Sequence, residues 1–496
     1  MDERTRLNRM LLDINKSYPV KVLQIGEGNF IRAFVDWMLH RCNDQGLFNG
    51  SIMVTHPRGG GGKKLKALEE QDGLYTLIVR GLEHDQEVVQ NEVITSVAGT
   101  VDPFADWESF YRLAEQEELA YICSNTTEAG ITYTYQPYDD SHPQATYPAR
   151  LTLYLHRRYR TLGADFGMTI IPCELLERAG DRLKEIVLQH TADWQLGDDF
   201  AAWIEERNIF ANTLVDRIVT GYPDAEAEQL EVDLGYLDKM MVVAEPYYEW
   251  VLEDQQGLSA KLPFREAGLN VKWVEDLGPY VKRKVRILNG AHTFMVPMAY
   301  LQGFDIVRDA IQDERIYEKT NRFLHEVVAP TLPFNRDESE AYIQATISRF
   351  RNPYIDHKLL DIALNSISKS ITRLRPTLID CVDATGRMPE PLLESYAYLF
   401  RFYRGVKKDG IWYGWRFNRG RPEMYEIRDR TEAVEAFAAA WDQYEAGGEL
   451  LELVSNILSS TAIWDEPFSS FNLDIDELTA GIGQYLHNII NQEHQQ

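Results

Sequence analysis

One segment constrains this chain more than any other. The run VKVLQIG (20–26) is a β-branched, apolar stretch of buried-strand length, and it passes directly into Gly26-Glu27-Gly28 and then into NFIRAFVDWMLHRC (29–42), which has helical spacing. Glycines at a strand-to-helix turn let a backbone come close to a pyrophosphate, and the helix N-terminus supplies free N–H groups and a positive dipole. The pattern departs from GxGxxG, because Ile31 stands where a third Gly or Ala is expected. Its weight comes from position, since it opens a series in which strands and helices alternate. SIMVT (51–55), AYICSNTT (120–127) and MTIIPCEL (168–175) continue that series, and Leu74 to Val101 holds two or three alternating strands. Strands alternating with helices predict a mostly parallel sheet.

From about residue 278 the character changes. Strand-like runs thin out and amphipathic segments dominate, among them 307–328, 338–350, 357–374 and 432–458. The expected architecture is therefore α/β, with a dinucleotide-binding domain over 1–277 and an all-helical second domain over 278–496. At 496 residues the chain is too long for one ordinary core, which agrees with two.

Charge and cysteine usage exclude several classes. A net charge of −26 disfavours nucleic acid and acidic membrane surfaces as partners. No run of about 18 apolar residues is present, and the charged N-terminus has no apolar core of a secretory signal. Cys42, Cys123, Cys173 and Cys381 are widely spaced with no CxxC pair, so neither a disulfide framework nor a zinc site is expected, and a reducing cytoplasm fits best. The spacing of the 11 histidines offers no catalytic zinc cluster either. Oligomeric state leaves no signature.

The end of the second strand ordinarily carries an acid for the adenosine ribose, but here it reads Thr55-His56-Pro57-Arg58. Arg58 before the Gly59–Gly62 tract and Lys63 and Lys64 after it either hold a 2′-phosphate or form a solvated basic loop, so NAD and NADP both remain open at this point. Ser124, Asn125 and Thr127, beyond the strand AYIC, face a ribose or nicotinamide if ligands lie past the carboxyl ends of strands. Otherwise they form a polar turn, with Glu128 at a helix start.

KRKVRILNGAHTFMVP (282–297) carries the chemistry-bearing residues of the second domain. In a helix Lys284, Asn289 and His292 fall within an arc of roughly 140°. A Lys with lowered pKa exchanges the proton of an alcohol as hydride leaves. Asn donates to the developing alkoxide, and His orients a hydroxyl or the lysine. Taken singly, each residue has a plainer role as a solvated basic face, a helix irregularity or a core histidine.

Lys284-x4-Asn289-x2-His292 resembles the signature of the polyol-specific long-chain dehydrogenases, the mannitol dehydrogenase family, and Asn212-Thr-Leu-Val-Asp216-Arg217-Ile is similar to its second signature. The resemblance covers roughly residues 20–480, with GEGNFIRAFVDW (26–37), QDGLYT (71–76), SNTTEAGI (124–131), IIPCEL (170–175), DRIVTGYP (216–223) and RFRNPYI (349–355) as further matching segments. It implies a Rossmann-like N-terminal domain followed by a mostly α-helical C-terminal domain. It implies metal-free, reversible reduction of the keto-uronate D-tagaturonate to the aldonate D-altronate, a step of galacturonate catabolism, with NAD as cofactor. By the same resemblance Lys284 is the acid/base, Asn212 and Asn289 stabilise the oxyanion, and His292 positions substrate. The dinucleotide is bound by Val22, Leu23, Gln24, Ile25, Gly26, Glu27, Gly28, Asn29, Phe30, Ile31, Arg32 and Ala33.

A uronate also needs a cation for its carboxylate, and Arg349, Arg351 and Lys358 are the candidates, Arg349 first. The alternatives are fructuronate reduction or oxidation of a neutral polyol by the same machinery, the latter suggested by AEPYYEWVLED (244–254). A non-catalytic dinucleotide-binding sensor is a reading of a different class, which the joint presence of Lys284, Asn289, His292 and Asn212 disfavours.

Overall fold

The VKVLQI run forms strand β1 (Val20–Ile25), whose last four residues are buried. The computed structural model describes residues 5–493 apart from 61, 84 and 419, and at 128 the backbone only, so Gly61 of the glycine tract and the side chain of Glu128 lie outside the described residues. The chain divides into two units, Met1–Leu277 and Gly278–Gln496.

In the first unit β1 lies at the centre of a six-stranded sheet with β2 (Ser51–Thr55), β3 (Val97–Thr100), β4 (Tyr121–Ser124), β5 (Thr169–Pro172) and β6 (Ile209–Phe210). The order is β3-β2-β1-β4-β5-β6 and every neighbouring pair is parallel. This is a doubly wound sheet whose strand order reverses between β1 and β4, the place where such sheets bind ligands. Period-2 alternation distributes the core. Val22, Ile52, Val54, Cys123 and Ile171 enter one apolar cluster, while Leu23, Ile25, Ile122 and Ile170 enter another.

The alternating stretch 74–101 divides between two sheets. Val97–Thr100 joins the parallel sheet as β3, but Tyr75–Glu83 and Gln86–Ile94 pair antiparallel in a separate four-stranded sheet with Val219–Gly221 and Val242–Ala244. The polar, largely exposed face of 86–94 is the pattern of an antiparallel strand with one side to water. Thr213–Asp216, Glu249–Glu253 and Val271–Val274 make a further small sheet.

The second unit is mostly helical, and the expectation that it is all-helical is corrected. Gly405–Lys408, Ile411–Asn418 and Arg421–Glu426 form a three-stranded antiparallel sheet. Asp409 and Gly410 both have positive φ (53° and 83°), as the tight turn joining the first two strands requires. The segment 432–458 is two helices, Thr431–Glu445 and Leu450–Ser459, interrupted where Gly447 takes φ 103°.

Candidate active site

Residues at the carboxyl ends of β1, β2 and β4 meet in one cleft of the first unit. Register puts Ile25 level with Thr55 and with Ser124, and the ladder continues one step as Gly26 N–H donates to the Thr55 carbonyl (2.7 Å) and Asn125 N–H to that of Ile25 (3.0 Å). A cavity of about 710 Å³ opens there, with Gly26, Glu27 and Gly28 on one side, His56 to Gly60 on another, and Asn125 to Thr127 with Tyr147 on a third. Gly26 has φ 123°, and a Cβ on it would lie 2.7 Å from the Asn125 carbonyl oxygen, so a side chain is excluded by conformation and by contact. Gly28 is different. Its φ is −66° and nothing lies within 4 Å of where its Cβ would be. That open space stands at the start of the helix beginning at Asn29, which is the cradle a pyrophosphate needs. The residues present therefore fit a dinucleotide.

Of the stretch Val22 to Ala33, only Gly26, Glu27 and Gly28 line this cleft. Val22 and Leu23 are core, and Gln24 is buried with its Nε2 donating to the Gly26 carbonyl (3.0 Å). Arg32 is buried too, donating to the Met240 carbonyl and to Asn29 Oδ1. Asn125 and Thr127 line the cleft. Ser124 does not: it is fully buried and donates its hydroxyl to Glu174 Oε2 at 3.1 Å. Strand alternation turns it inward, and Thr126, which the sequence reading passed over, lines the cleft beside its neighbours. Glu174 fastens this wall, accepting also from the N–H and hydroxyl of Thr126 (both 3.0 Å), while burial pushes its carboxyl above the usual range. Arg58 lines the cleft, but Lys63 and Lys64 do not.

Asn212 follows β6 and is fully buried. Its Oδ1 accepts from the Asp181 N–H (3.2 Å) and its Nδ2 donates to Glu253 Oε2 (2.9 Å), which leaves one amide N–H for another acceptor. In the same signature Arg217 is buried and donates to the Ala33 carbonyl (2.6 Å), tying this segment to the π turn Arg32–Asp36 of the opening helix.

In the second unit Lys284 ends the helix Gly278–Lys284, and a π turn, Val285–Asn289, precedes the helix Gly290–Leu301. A straight α-helix would separate Lys284 from Asn289 by roughly 140°, but the extra residue of a π turn reduces this to about 40°. Lys284 and Asn289, both half-buried, thus come nearly into line along one face. His292 follows, 9% exposed, stacked on Phe350 and edge-on to His357 with ring centroids 5.3 Å apart. Its Nε2 is buried without a hydrogen-bond partner. Burial holds the imidazole well below its ordinary pKa, and positive charge on His357, Arg373, Arg349 and Lys369 adds to the effect, so His292 is neutral.

Basic groups gather here. Arg373 lies in another π turn, Ser370–Leu374, just before Pro376. Pro376 has no N–H for the Thr372 carbonyl, which breaks the regular α pattern at this point. Arg373 Nη1 donates to Thr293 Oγ1 (3.1 Å) and, at 3.4 Å, to the Asn289 carbonyl, which also accepts from Thr293 Oγ1 (3.0 Å). Lys369 donates to the Ile362 carbonyl at 2.7 Å. Of the three cations expected near the RF-x-NP segment, Arg349 is buried and contributes to the field on His292. Arg351 instead lies over the Tyr317 ring, and Lys358 is exposed. The sequence reading missed Lys369, Arg373 and His357.

Comparison with known proteins accounts for both units. Residues 20–265 match the mannitol dehydrogenase Rossmann domain, and residues 276–451 the mannitol dehydrogenase C-terminal domain. The chain belongs to the mannitol dehydrogenase family. Among curated members it is 39% identical to the altronate oxidoreductase of Halalkalibacterium halodurans, over 96% of this chain and 94% of that protein. It is also 39% identical to the altronate oxidoreductase of Bacillus subtilis, over 98% and 95%. Two solved members share the fold at 21% identity. A D-sorbitol dehydrogenase in substrate-free form has a TM-score of 0.80, covering 98% of this chain and 99% of that one. The Pseudomonas fluorescens mannitol 2-dehydrogenase ternary complex with NAD and D-mannitol has a TM-score of 0.65, covering 99% and 95%. As a mannitol dehydrogenase family member, the protein is an oxidoreductase acting on a CH–OH carbon with a nicotinamide cofactor.

Proposed function

We propose that the protein reversibly reduces D-tagaturonate to D-altronate with NADH in the cytoplasm. The observation that carries this is the near full-length identity to proteins named altronate oxidoreductase. The mannitol 2-dehydrogenase crystallised with NAD supports NAD over NADP. The four buried free cysteines agree with a reducing compartment.

The chain's own residues take these parts. Lys284 exchanges the proton of the reacting hydroxyl as general acid/base. Asn289 and Asn212 donate to the oxygen as it becomes an alkoxide. Neutral His292 accepts from a substrate hydroxyl through Nε2, which satisfies an otherwise orphaned buried atom. Arg349 holds the carboxylate. When bound, the nicotinamide supplies or accepts the hydride. The test is initial-rate oxidation of NADH and NADPH with tagaturonate, fructuronate and fructose side by side. Tagaturonate with NADH is expected to give the highest kcat/KM, and a higher value for fructuronate or fructose would overturn the assignment.

A further inference from the structure

We propose that Arg373 joins Arg349 on the substrate carboxylate and is the residue that makes this site selective for substrates carrying one, gripping that group through the Nε/Nη2 edge of its guanidinium. The proposal rests on the keto-uronate reading above and names a specificity residue for it.

The geometry of Arg373 is the first support. Its two hydrogen bonds, to Thr293 Oγ1 and the Asn289 carbonyl, both leave from Nη1. They anchor the side chain beside a residue placed at the reacting oxygen and leave Nε and Nη2 in one plane. That edge presents two parallel N–H donors, the arrangement that receives a carboxylate in bidentate fashion. No carboxylate of the described residues pairs with it.

The surroundings are the second support. Arg373, Arg349 and Lys369 all bear on His292 with positive charge. His292 Nε2 is a buried polar atom with no hydrogen-bond partner among the described residues. An anion seated beside Arg373 and Lys369 would offset the positive charge that these two bring to the site. Nη1 bonding to Thr293 and Asn289 also fixes where that anion lies relative to Asn289, so the carboxylate sets the distance to the reacting carbon.

The test compares kcat/KM for tagaturonate with that for fructose, a six-carbon ketose without the carboxylate, in wild type, Arg373→Leu and Arg373→Lys. Melting temperatures establish that each variant is folded. Arg373→Leu is expected to lower the tagaturonate-to-fructose ratio by about 10- to 100-fold, mainly through KM. Arg373→Lys keeps the charge without the planar edge and recovers part of the ratio, which keeps the proposal testable if the leucine variant does not fold. If both substrates lose activity in parallel and the ratio holds in either folded variant, Arg373 merely supports Asn289 and the proposal fails. A wild-type enzyme that ignores keto-uronates altogether instead overturns the underlying functional reading.

Discussion

The imidazole of His292 lies against the ring of Phe350, with centroids 4.2 Å apart and planes 27° apart. This contact removes one face of the imidazole from water, and the cations around it disfavour a second positive charge. A histidine in this setting is a neutral hydrogen-bonding group throughout the physiological range, not a proton donor. Under the proposed function the acid/base work falls to Lys284, and His292 contributes by position.

Stability should carry the mark of this histidine. Its folded pKa lies well below the ordinary value of 6.5, so between the two the unfolded chain binds the extra proton. Its contribution is present above pH 6.5 and is lost as the pH falls below it. His357 is shifted in the same direction by burial. Asp36 opposes them, since burial raises its carboxyl to about 7 and so favours the folded state as pH falls. A difference measurement isolates the histidine: the melting temperature of His292→Asn should fall less than that of wild type between pH 7 and pH 5. Equal slopes would show that folding does not lower the pKa of His292.

The two glycines of the first turn should behave oppositely on substitution. Gly26→Ala forces a side chain into φ 123° and against the Asn125 carbonyl, at a cost of roughly 1–3 kcal/mol of stability. Gly28→Val meets open space at an ordinary φ and costs at most about 1 kcal/mol. Its branched side chain nevertheless occupies the space a pyrophosphate needs, so the Kd for NADH should rise at least tenfold. Denaturant melts and fluorescence titration measure the two effects. A Gly28→Val protein with wild-type NADH affinity would place the cofactor elsewhere.

Lys284→Ala should lower kcat by about 10²- to 10⁴-fold, the usual worth of a positioned acid/base, while NADH titration and melting temperature stay near wild type. Small primary amines added to the assay should restore part of the rate. Near wild-type turnover without them would remove Lys284 from the mechanism.

Buried-strand runs alternating with helices, opened by the glycine turn, made the parallel sheet and its nucleotide cleft legible in the sequence, because strand burial is a local property of the sequence. The placement of Ser124 was harder. The last residue of β4 faces the core while the three that follow it all line the cleft, and both Ser124 and Thr126 are held by Glu174, which no local pattern reveals because it lies fifty positions from Ser124. The π turn at Val285–Asn289 left no signal in composition, yet it brings Lys284 and Asn289 into line. Arg373 was invisible for a similar reason, since Thr293 and Asn289 are 80 or more positions distant. The Asp409-Gly410 pair is a hairpin signal, but it lies between the amphipathic segments 357–374 and 432–458 that set the all-helical expectation for the whole domain.

Chelation should leave the enzyme active. Among the described residues one trio, His40, Asp44 and Glu92, brings possible metal-binding atoms within 4.8 Å of one another, and its chemistry opposes a cation. Glu92 Oε1 already accepts from Arg41 Nη1 (3.1 Å) and Oε2 from the Trp37 indole N–H (2.9 Å). The carboxyl of Glu92 is held down at about 2, because hydrogen bonds from His40, Arg41 and Trp37 outweigh the burial that would raise it. A divalent ion would have to displace the Arg41 guanidinium from an oxygen it shares with His40. The four cysteines are buried and take no part in the trio. Dialysis against EDTA is therefore expected to change neither kcat nor the melting temperature, and a loss of activity restored by Zn²⁺ or Mn²⁺ would return a metal to the mechanism.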